Sequence, residues 1–249
     1  MIPSAVELRE PVVTVDGDAR RIKVYLPDPM PDGSVPLVVF LHPAGGSPSQ
    51  AAADTHFDRL AGRDGFIVAF PPADHRTWDV VTRPGLIETD VDEGFLEGMI
   101  DQLTKDFPVD PSRIYVAGFS MGAVMTDRLT CSLADRIAAA AIVSGTPWAG
   151  HACTPAKPVS VLVMHGTADA TFPFDAAEAL AARWRTVDRC PPPASTVTVT
   201  DVASLTASIG CADGTSVGFI SVEGGPHAWF EAPDATALAW QFFVDHGRP

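Results

Sequence analysis

The sequence has little positive charge. Lysine and arginine together number 17, against 31 aspartate and glutamate residues, and the formal net charge is −14. Nucleic acids and anionic membrane surfaces both require a basic face, so we expect no nucleic acid and no membrane as a partner. The sequence also lacks an apolar run of the roughly 18 residues that a membrane-spanning helix needs.

Cysteine is scarce as well. None of the four cysteines stands in a C-x-x-C pair, which argues against a zinc or redox site. Of the three possible pairings we favour Cys131–Cys153 and Cys190–Cys211, each closing a loop of about 20 residues; four buried free thiols are the alternative. Disulfides would indicate an oxidising compartment. The first residues do not resemble a signal peptide. Because the cysteines nevertheless suggest an oxidising compartment, we expect a secreted protein whose leader has been removed.

Hydrophobic residues make up 46% of the 249, which is enough for one sizeable core. Apolar runs alternate with segments of helical periodicity, and this alternation predicts a mostly parallel twisted sheet with helices on both faces. The predicted strands are residues 36–42, 66–70, 113–117, 159–165 and 216–222, and the predicted helices are residues 51–63, 91–103, 123–129, 176–187 and 236–244.

Three further segments are less regular. Residues 137–143 fit a strand or a helix, and Ser144-Gly145 after them favours a strand. Residues 196–200 alternate like an exposed strand. Residues 12–26, with Asp16-Gly17 at the turn, predict an antiparallel N-terminal hairpin at one edge of the sheet. No linker or repeat is visible, so we expect a single α/β domain over residues 1–249.

One pentapeptide, Gly118-Phe119-Ser120-Met121-Gly122, follows the G-x-S-x-G pattern of a nucleophile elbow. It lies between a predicted strand and a predicted helix, which is the context in which this pattern holds a serine hydroxyl clear of a sheet. The turn is so tight that a side chain at either glycine would collide with the neighbouring strand or helix. We therefore predict Ser120 as a nucleophile, with a chance glycine–serine turn as the alternative.

A serine nucleophile needs a base, and the base needs an orienting acid. After such an elbow the acid comes first along the chain and the histidine second. Asp169 and His227 each follow a predicted strand, at the carboxyl ends where open α/β sheets bind ligands. We predict Asp169 as the acid and His227 as the base. Asp175 and Asp201 are rival candidates for the acid. The alternative for Asp169 and His227 is an ordinary structural role in their loops.

Two other histidines, His42 and His165, end predicted core strands. A histidine in that position more often stabilises a loop through hydrogen bonds than acts as a base. Together with His227 they show no metal-ligand spacing, and we expect no metal site.

Ester chemistry at Ser120 would also need two N–H donors for the charge that develops on the carbonyl oxygen. The first is predicted to be the N–H of Met121, directly after the nucleophile. The second is expected from the glycine-rich loop at residues 42–47. Pro43 has no N–H, so we predict Ala44 as the donor, with a plain glycine-rich loop as the alternative.

Five segments together resemble the secreted polyhydroxybutyrate depolymerase/feruloyl esterase family, from about residue 10 to the C-terminus. They are His42-Pro43-Ala44-Gly45-Gly46-Ser47, Val91-Asp92-Glu93-Gly94-Phe95, Gly118-Phe119-Ser120-Met121-Gly122, His165-Gly166-Thr167-Ala168-Asp169 and Gly224-Gly225-Pro226-His227-Ala228-Trp229. The resemblance implies an α/β-hydrolase fold, extracellular ester hydrolysis without a cofactor, and disulfides in the pairing favoured above.

The sequence departs from that family's pattern at three positions. Pro43 replaces the first glycine of H-G-x-G-G, Ala170 replaces the proline after the acid, and Glu93 replaces the second aspartate of D-D-V-x-F. None of these changes removes a catalytic group. Pro43 could reshape the acyl side of the cleft, so the resemblance carries the mechanism further than the substrate.

These observations lead to the hypothesis of a secreted serine carboxylic-ester hydrolase that forms an acyl-enzyme. Its expected substrates are small or polymeric esters: feruloyl or acetyl esters on plant polysaccharide, polyhydroxyalkanoate, or an aromatic polyester such as PET. No obligate protein partner is implied. Trp229, Trp78 and Trp148 are expected to line the cleft, with ordinary packing as the alternative. A non-catalytic binding protein and a peptidase, each of the same fold, are the rival functions.

Overall fold

A ten-stranded sheet runs through the molecule. A computed structural model describes residues 5–80, 89–149, 152–193 and 196–247. The strands in these ranges are β1 Ala5–Arg9, β2 Val12–Val15, β3 Asp18–Arg21, β4 Lys23–Asp28, β5 Val35–Leu41, β6 Ile67–Phe70, β7 Val109–Phe119, β8 Ala139–Val143, β9 Ser160–Gly166, β10 Thr196–Thr200, β11 Ala203–Ile209 and β12 Ser216–Val222. The order across the large sheet is β1-β4-β6-β5-β7-β8-β9-β12-β11-β10.

The centre of this sheet is parallel, and both of its edges are antiparallel. Neighbours are parallel from β6 through β5, β7, β8 and β9 to β12. At one edge β4 and β1 are antiparallel, and at the other β11 and β10 are antiparallel. Carboxyl ends of parallel neighbours lie at one rim of a sheet, so the loops after β5, β6, β7, β9 and β12 come together there.

Six α-helices lie in the described ranges: α1 Pro48–Thr55, α2 Phe57–Asp64, α3 Val91–Asp106, α4 Met121–Ser132, α5 Phe174–Val187 and α6 Ala235–Asp245, with short 3-10 turns at Asp74–Arg76 and Ala212–Gly214. Strand β5 is buried along its whole length and shows how two layers arise. Leu37, Val39 and Leu41 pack with α3 and α4 on one face. Val38 and Phe40 pack with α1, α2 and α6 on the other. The predicted α/β-hydrolase architecture is confirmed.

The N-terminal part differs from the expected edge hairpin. Strands β2 and β3 do form a hairpin around Asp16-Gly17, but it is a separate two-stranded sheet. It packs on α3, where Val15 contacts the position of Gly98. The antiparallel edge of the large sheet is made by β4 and β1 instead. The sequence pattern of residues 12–26 predicted two strands, whereas a break at Ile22 divides the second strand into β3 and β4.

Two other segments show finer structure than the sequence indicated. The helix predicted over residues 51–63 is two helices, because His56 takes a left-handed conformation (φ 54°) between α1 and α2. Residues 196–200 form β10, the exposed edge strand, as predicted. Its partner β11 was not predicted, since residues 203–209 carry a mixture of polar and small side chains.

Both favoured disulfides are present. Cys131 at the end of α4 joins Cys153, and Cys190 after α5 joins Cys211 after β11. The second bridge is accompanied by a hydrogen bond from the Ala212 N–H to the Asp188 carbonyl oxygen (2.8 Å), which ties the same two segments. Within the ranges described, no helix combines the length and the apolar character required to cross a bilayer.

Candidate active site

Ser120 lies in the sharp turn between β7 and α4. Its backbone is left-handed (φ 57°, ψ −120°), a conformation that L residues adopt only under constraint. A Cβ on Gly118 would lie 2.2 Å from the Gly122 carbonyl oxygen, and a Cβ on Gly122 would lie 2.0 Å from the Leu41 carbonyl oxygen. Both flanking positions therefore require glycine for the reason that the sequence suggested. The turn brings the serine hydroxyl to the carboxyl rim of the sheet.

The structure brings together the three side chains that the sequence placed in one site. His227, in the loop after β12, has its Nε2 atom 2.8 Å from the Ser120 Oγ atom. Its Nδ1 atom lies 2.8 Å from Oδ2 of Asp169, which follows β9. The rival acids Asp175 and Asp201 do not take this position. Nδ1–H donates to the carboxylate, and this leaves the Nε2 lone pair to accept the serine proton.

The loops that carry Asp169 and His227 are joined directly by hydrogen bonds. The Ala168 N–H donates to the Gly225 carbonyl oxygen (3.0 Å), and the Gly224 N–H donates to the Thr167 hydroxyl (2.8 Å). The approach is so close that a Cβ on Gly166 would lie 2.1 Å from the Gly225 oxygen. The distance between Asp169 and His227 is thus set by contacts between the loops that follow the parallel neighbours β9 and β12.

Asp169 is held as a carboxylate although it is buried. Burial by itself would raise the pKa of Asp169, but hydrogen bonds from the Phe172 N–H, from His227 and from the Thr171 N–H outweigh it, and the pKa lies below its usual value. The two N–H groups donate to Oδ1 at 2.9 and 2.8 Å, while Oδ2 faces His227. Asp169 can therefore keep its negative charge opposite the imidazole at neutral and mildly acidic pH.

Two other histidines at the rim are buried supports. His165 Nε2 donates to the Phe172 carbonyl oxygen (3.0 Å) and lies 3.3 Å from Asp169 Oδ2. His42 Nε2 accepts the Ala73 N–H (3.1 Å), and its Nδ1–H donates to the Pro43 carbonyl oxygen (2.8 Å). Burial lowers the pKa of both imidazoles. The expectation that His42 and His165 stabilise loops agrees with these contacts.

The loop at residues 42–47, hereafter the β5 loop, lies beside the elbow. Gly122 at the start of α4 packs against the carbonyl groups of Leu41 and His42, so the β5 loop and the elbow are in direct contact. The N–H groups of Ala44 and Met121 donate no hydrogen bond to any group in the described residues. Met121 is the first residue of α4, where helix N–H groups point outward. Both predicted oxyanion donors are therefore free to bind a ligand.

Sequence reasoning missed the segment at residues 73–79, hereafter the β6 loop, which supports the β5 loop. The Trp78 indole N–H donates to the His42 carbonyl oxygen (2.7 Å), and Arg76 bonds the backbone of Gly45 and Gly46. The signal available was Asp92, which stands in one of the segments that carry the family resemblance. Its buried carboxylate accepts hydrogen bonds from N–H groups of the β6 loop and forms an ion pair with Arg20.

The three tryptophans occupy different environments. Trp229 lines a cavity of about 260 Å³ together with His227, Phe119, Phe40 and Pro43. Trp78 was expected in the cleft and is instead buried (2% exposed), because its indole N–H bonds the β5 loop from inside. Trp148 packs on the core beneath the Arg128 guanidinium and does not line this cavity.

Beyond Trp229 lies a second cavity of about 460 Å³, which shares Asp54, Thr55, Trp229 and Glu231 with the first. Its lining mixes apolar side chains with charged groups of both signs. Among the residues that the structure describes, no cluster of three or more histidine, cysteine or acidic side chains could hold a metal ion.

Comparison with known proteins finds similarity to esterases. A family model described as esterase PHB depolymerase matches residues 21–225. A bifunctional acetylxylan esterase/xylanase from Neocallimastix patriciarum is 33% identical over 184 residues, which cover 73% of this chain and 26% of that protein. Feruloyl esterase B from Piromyces equi is 38% identical over 148 residues, covering 55% of this chain and 27% of that protein. The chain thus spans about a quarter of the length of these two curated relatives.

A solved structure shows the same fold. The acetyl xylan esterase from Aspergillus awamori superposes with a TM-score of 0.73 at 18% identity, covering 96% of this chain and 99% of that one. Because the family model matches most of the chain, including the elbow and the loop that carries Asp169, the chain belongs to the esterase PHB depolymerase family.

Proposed function

We propose that this protein hydrolyses carboxylic esters through Ser120, His227 and Asp169, with an acyl-enzyme intermediate. The observation that carries the proposal is the pair of 2.8 Å contacts that link the serine hydroxyl to the imidazole and the imidazole to the carboxylate. Relatives named as acetylxylan and feruloyl esterases support it.

The proposed reaction begins with acylation. The Ser120 oxygen attacks the ester carbonyl carbon while His227 Nε2 takes the hydroxyl proton. Asp169 stabilises the imidazolium that forms. The negative charge moves to the carbonyl oxygen, where the N–H groups of Ala44 and Met121 are proposed to receive it. When the tetrahedral intermediate collapses, the bond to the leaving oxygen breaks, and His227 returns its proton to the departing alcohol.

Deacylation repeats these steps with water. A water molecule takes the place of the alcohol, gives a proton to His227 Nε2 and attacks the acyl carbon. The bond to Ser120 then breaks, and His227 reprotonates the serine oxygen. The products are a carboxylic acid and a free enzyme in its starting protonation state.

The proposed substrates are esters with an acetyl or feruloyl-type acyl group on a polymer such as plant polysaccharide, and polyesters such as polyhydroxyalkanoate or PET. The cavity beside His227 has aromatic walls from Phe40, Phe119 and Trp229, which suit an aryl or short alkyl group. The two disulfides support an extracytoplasmic location, because such bonds persist in oxidising compartments. We also propose that residues 1–249 form a single catalytic domain.

Replacement of the nucleophile is the direct test. We expect Ser120→Ala to lower kcat for p-nitrophenyl butyrate by on the order of 10⁴-fold or more, since no other group in the proposed mechanism attacks the ester. Ser132→Ala, at the far end of the same helix, is the matched control and should retain full turnover. An organophosphonate should label the wild-type chain once, at Ser120. Labelling at another residue would refute the assignment.

The acyl and alcohol preferences need a parallel comparison. Initial rates on ethyl ferulate, acetylated xylan, a polyhydroxybutyrate emulsion and PET film, each with the Ser120→Ala variant as blank, would rank the four ester types. Hydrolysis of an aminoacyl amide faster than of all four esters would favour a peptidase instead.

A further inference from the structure

We propose that Arg76 is a positioning residue for the oxyanion hole, holding the β5 loop so that the Ala44 N–H stays aimed at the substrate. The inference deepens the proposed function and rests on it. Arg76 does not touch the reacting atoms in this account. It acts through the backbone of Gly45 and Gly46, which follow Ala44 directly.

One residue makes three hydrogen bonds to this short loop. The Arg76 carbonyl oxygen accepts the Gly45 N–H at 2.7 Å. The guanidinium donates from Nε to the Gly46 carbonyl oxygen (3.2 Å) and from Nη2 to the Gly45 carbonyl oxygen. These bonds involve three successive peptide groups. Because each peptide group is planar, a hydrogen bond to its oxygen also restrains its N–H, and the reverse.

The restraint reaches Ala44 through one shared peptide group. The peptide between Gly45 and Gly46 places its oxygen on Arg76 and its N–H on the Pro43 carbonyl oxygen (2.9 Å). The Pro43 carbonyl oxygen belongs to the same peptide group as the Ala44 N–H. In a trans peptide the N–H points opposite to the C=O, so holding the Pro43 oxygen inward directs the Ala44 N–H outward. His42 Nδ1–H adds a second bond to the same oxygen (2.8 Å).

The backbone around Arg76 is constrained in a way that ordinary loop packing does not require. His75 and Arg76 are consecutive non-glycine residues with left-handed backbones (φ 47° and 63°). Such conformations are disfavoured for L residues and persist where the surroundings hold them. Here Asp92 restrains the backbone. Its carboxylate accepts hydrogen bonds from the N–H groups of Asp74 (3.2 Å) and Asp79 (2.8 Å), which lie on either side of His75 and Arg76.

The test compares Arg76→Met, Arg76→Lys and a control, Arg9→Met, which removes an exposed arginine ion-paired to Glu7 in the edge strand. For Arg76→Met we expect kcat on p-nitrophenyl butyrate to fall by about 10- to 100-fold, with KM within about twofold. The reason is that an oxyanion donor stabilises the transition state more than bound substrate, so its displacement mainly lowers kcat. Arg76→Lys retains one cationic donor and should recover part of kcat. Arg9→Met should leave both constants unchanged.

A second readout does not depend on turnover. Amide hydrogen exchange of residues 44–47 should be faster in Arg76→Met than in wild type, and unchanged in Arg9→Met. A kcat within twofold of wild type, a rise in KM alone, or unchanged exchange of residues 44–47 would overturn the inference. If the wild-type chain hydrolysed no ester, the proposed function would fail, and faster exchange in Arg76→Met would still show that Arg76 holds the β5 loop.

Discussion

Three histidines at one rim of the sheet share a residue type and differ in environment. His42 and His165 are fully buried, burial lowers the pKa of each, and their ring nitrogens bond backbone groups of neighbouring loops. His227 remains partly exposed (18%) and faces a serine hydroxyl on one side and a carboxylate on the other. Solvent access and the identity of the hydrogen-bond partners therefore distinguish the candidate base from two structural histidines.

A different single residue makes stability depend on pH. Asp188 follows α5 and is buried; burial raises its pKa to about 7, more than the Val159 N–H and the charge of Arg189 lower it. Between about pH 4 and pH 7 the unfolded chain has lost this proton and the folded chain still holds it. The free energy of unfolding should therefore fall as the pH rises through that window, by at most about 4 kcal/mol.

Asp188→Asn removes this titration. We expect the variant to match wild type within about 1 kcal/mol at pH 4 and to be more stable than wild type at pH 8, by up to about 4 kcal/mol. Urea unfolding at pH 4, 6 and 8 measures the difference. An equal stability difference at all three pH values would show that Asp188 does not titrate between them.

At the scale of elements, helix α3 shows how packing decides the effect of the same residue type. Gly94 and Gly98 lie about one turn apart in α3. A Cβ at Gly94 would meet no atom within 4 Å, whereas a Cβ at Gly98 would lie 2.6 Å from Val15 Cγ2 of the β2–β3 hairpin. Gly98 thus permits the close approach through which the hairpin docks on α3.

The two glycines form a matched pair of substitutions. Gly94→Ala should raise the free energy of unfolding by about 0.5–1 kcal/mol, because alanine restricts the unfolded chain and favours the helix. Gly98→Ala gains the same propensity but forces Val15 to move, so we expect it to be less stable than Gly94→Ala by about 1–3 kcal/mol. Chemical denaturation of both variants is the measurement. Equal stabilities would contradict the docking of β2 on α3.

At the scale of the whole molecule, the parallel centre of the sheet positions the site and the antiparallel strands complete its edges. The β10–β11 pair is joined to the rest by β12 and by the Cys190–Cys211 bridge to the end of α5. The sequence separation across this bridge is 21 residues, and that across Cys131–Cys153 is 22. Neither bridge includes a residue of the candidate site.

Opening a bridge should cost stability rather than chemistry. We expect the double substitution Cys190→Ser with Cys211→Ser to lower the free energy of unfolding by roughly 3 kcal/mol, the loop-entropy value for this length, with kcat unchanged. Thermal unfolding of this variant with and without reductant is the measurement. A reductant should lower Tm further, since Cys131–Cys153 remains. A wild-type Tm that is the same with and without reductant would contradict the presence of stabilising disulfides.

Much of the fold was predictable from the sequence because its signals are local. Apolar runs indicated the central strands, and the glycines around Ser120 indicated the elbow. The position of Asp169 and His227 after two of these strands predicted the acid and the base. The split helix at His56 and the separate β2–β3 sheet were not predictable, because a single left-handed residue and a docking contact leave no periodic pattern.

The sequence by itself determined the alternation of central strands and helices, the elbow at Ser120, and the positions of Asp169 and His227 directly after two strands, since each of these signals depends on residues close together along the chain. Only the tertiary structure decided that Trp78 is buried and that Arg76 bonds Gly45 and Gly46. The residues involved are 30 or more positions apart. They meet because β5 and β6 are parallel neighbours, so that the loops after both strands emerge at the same rim.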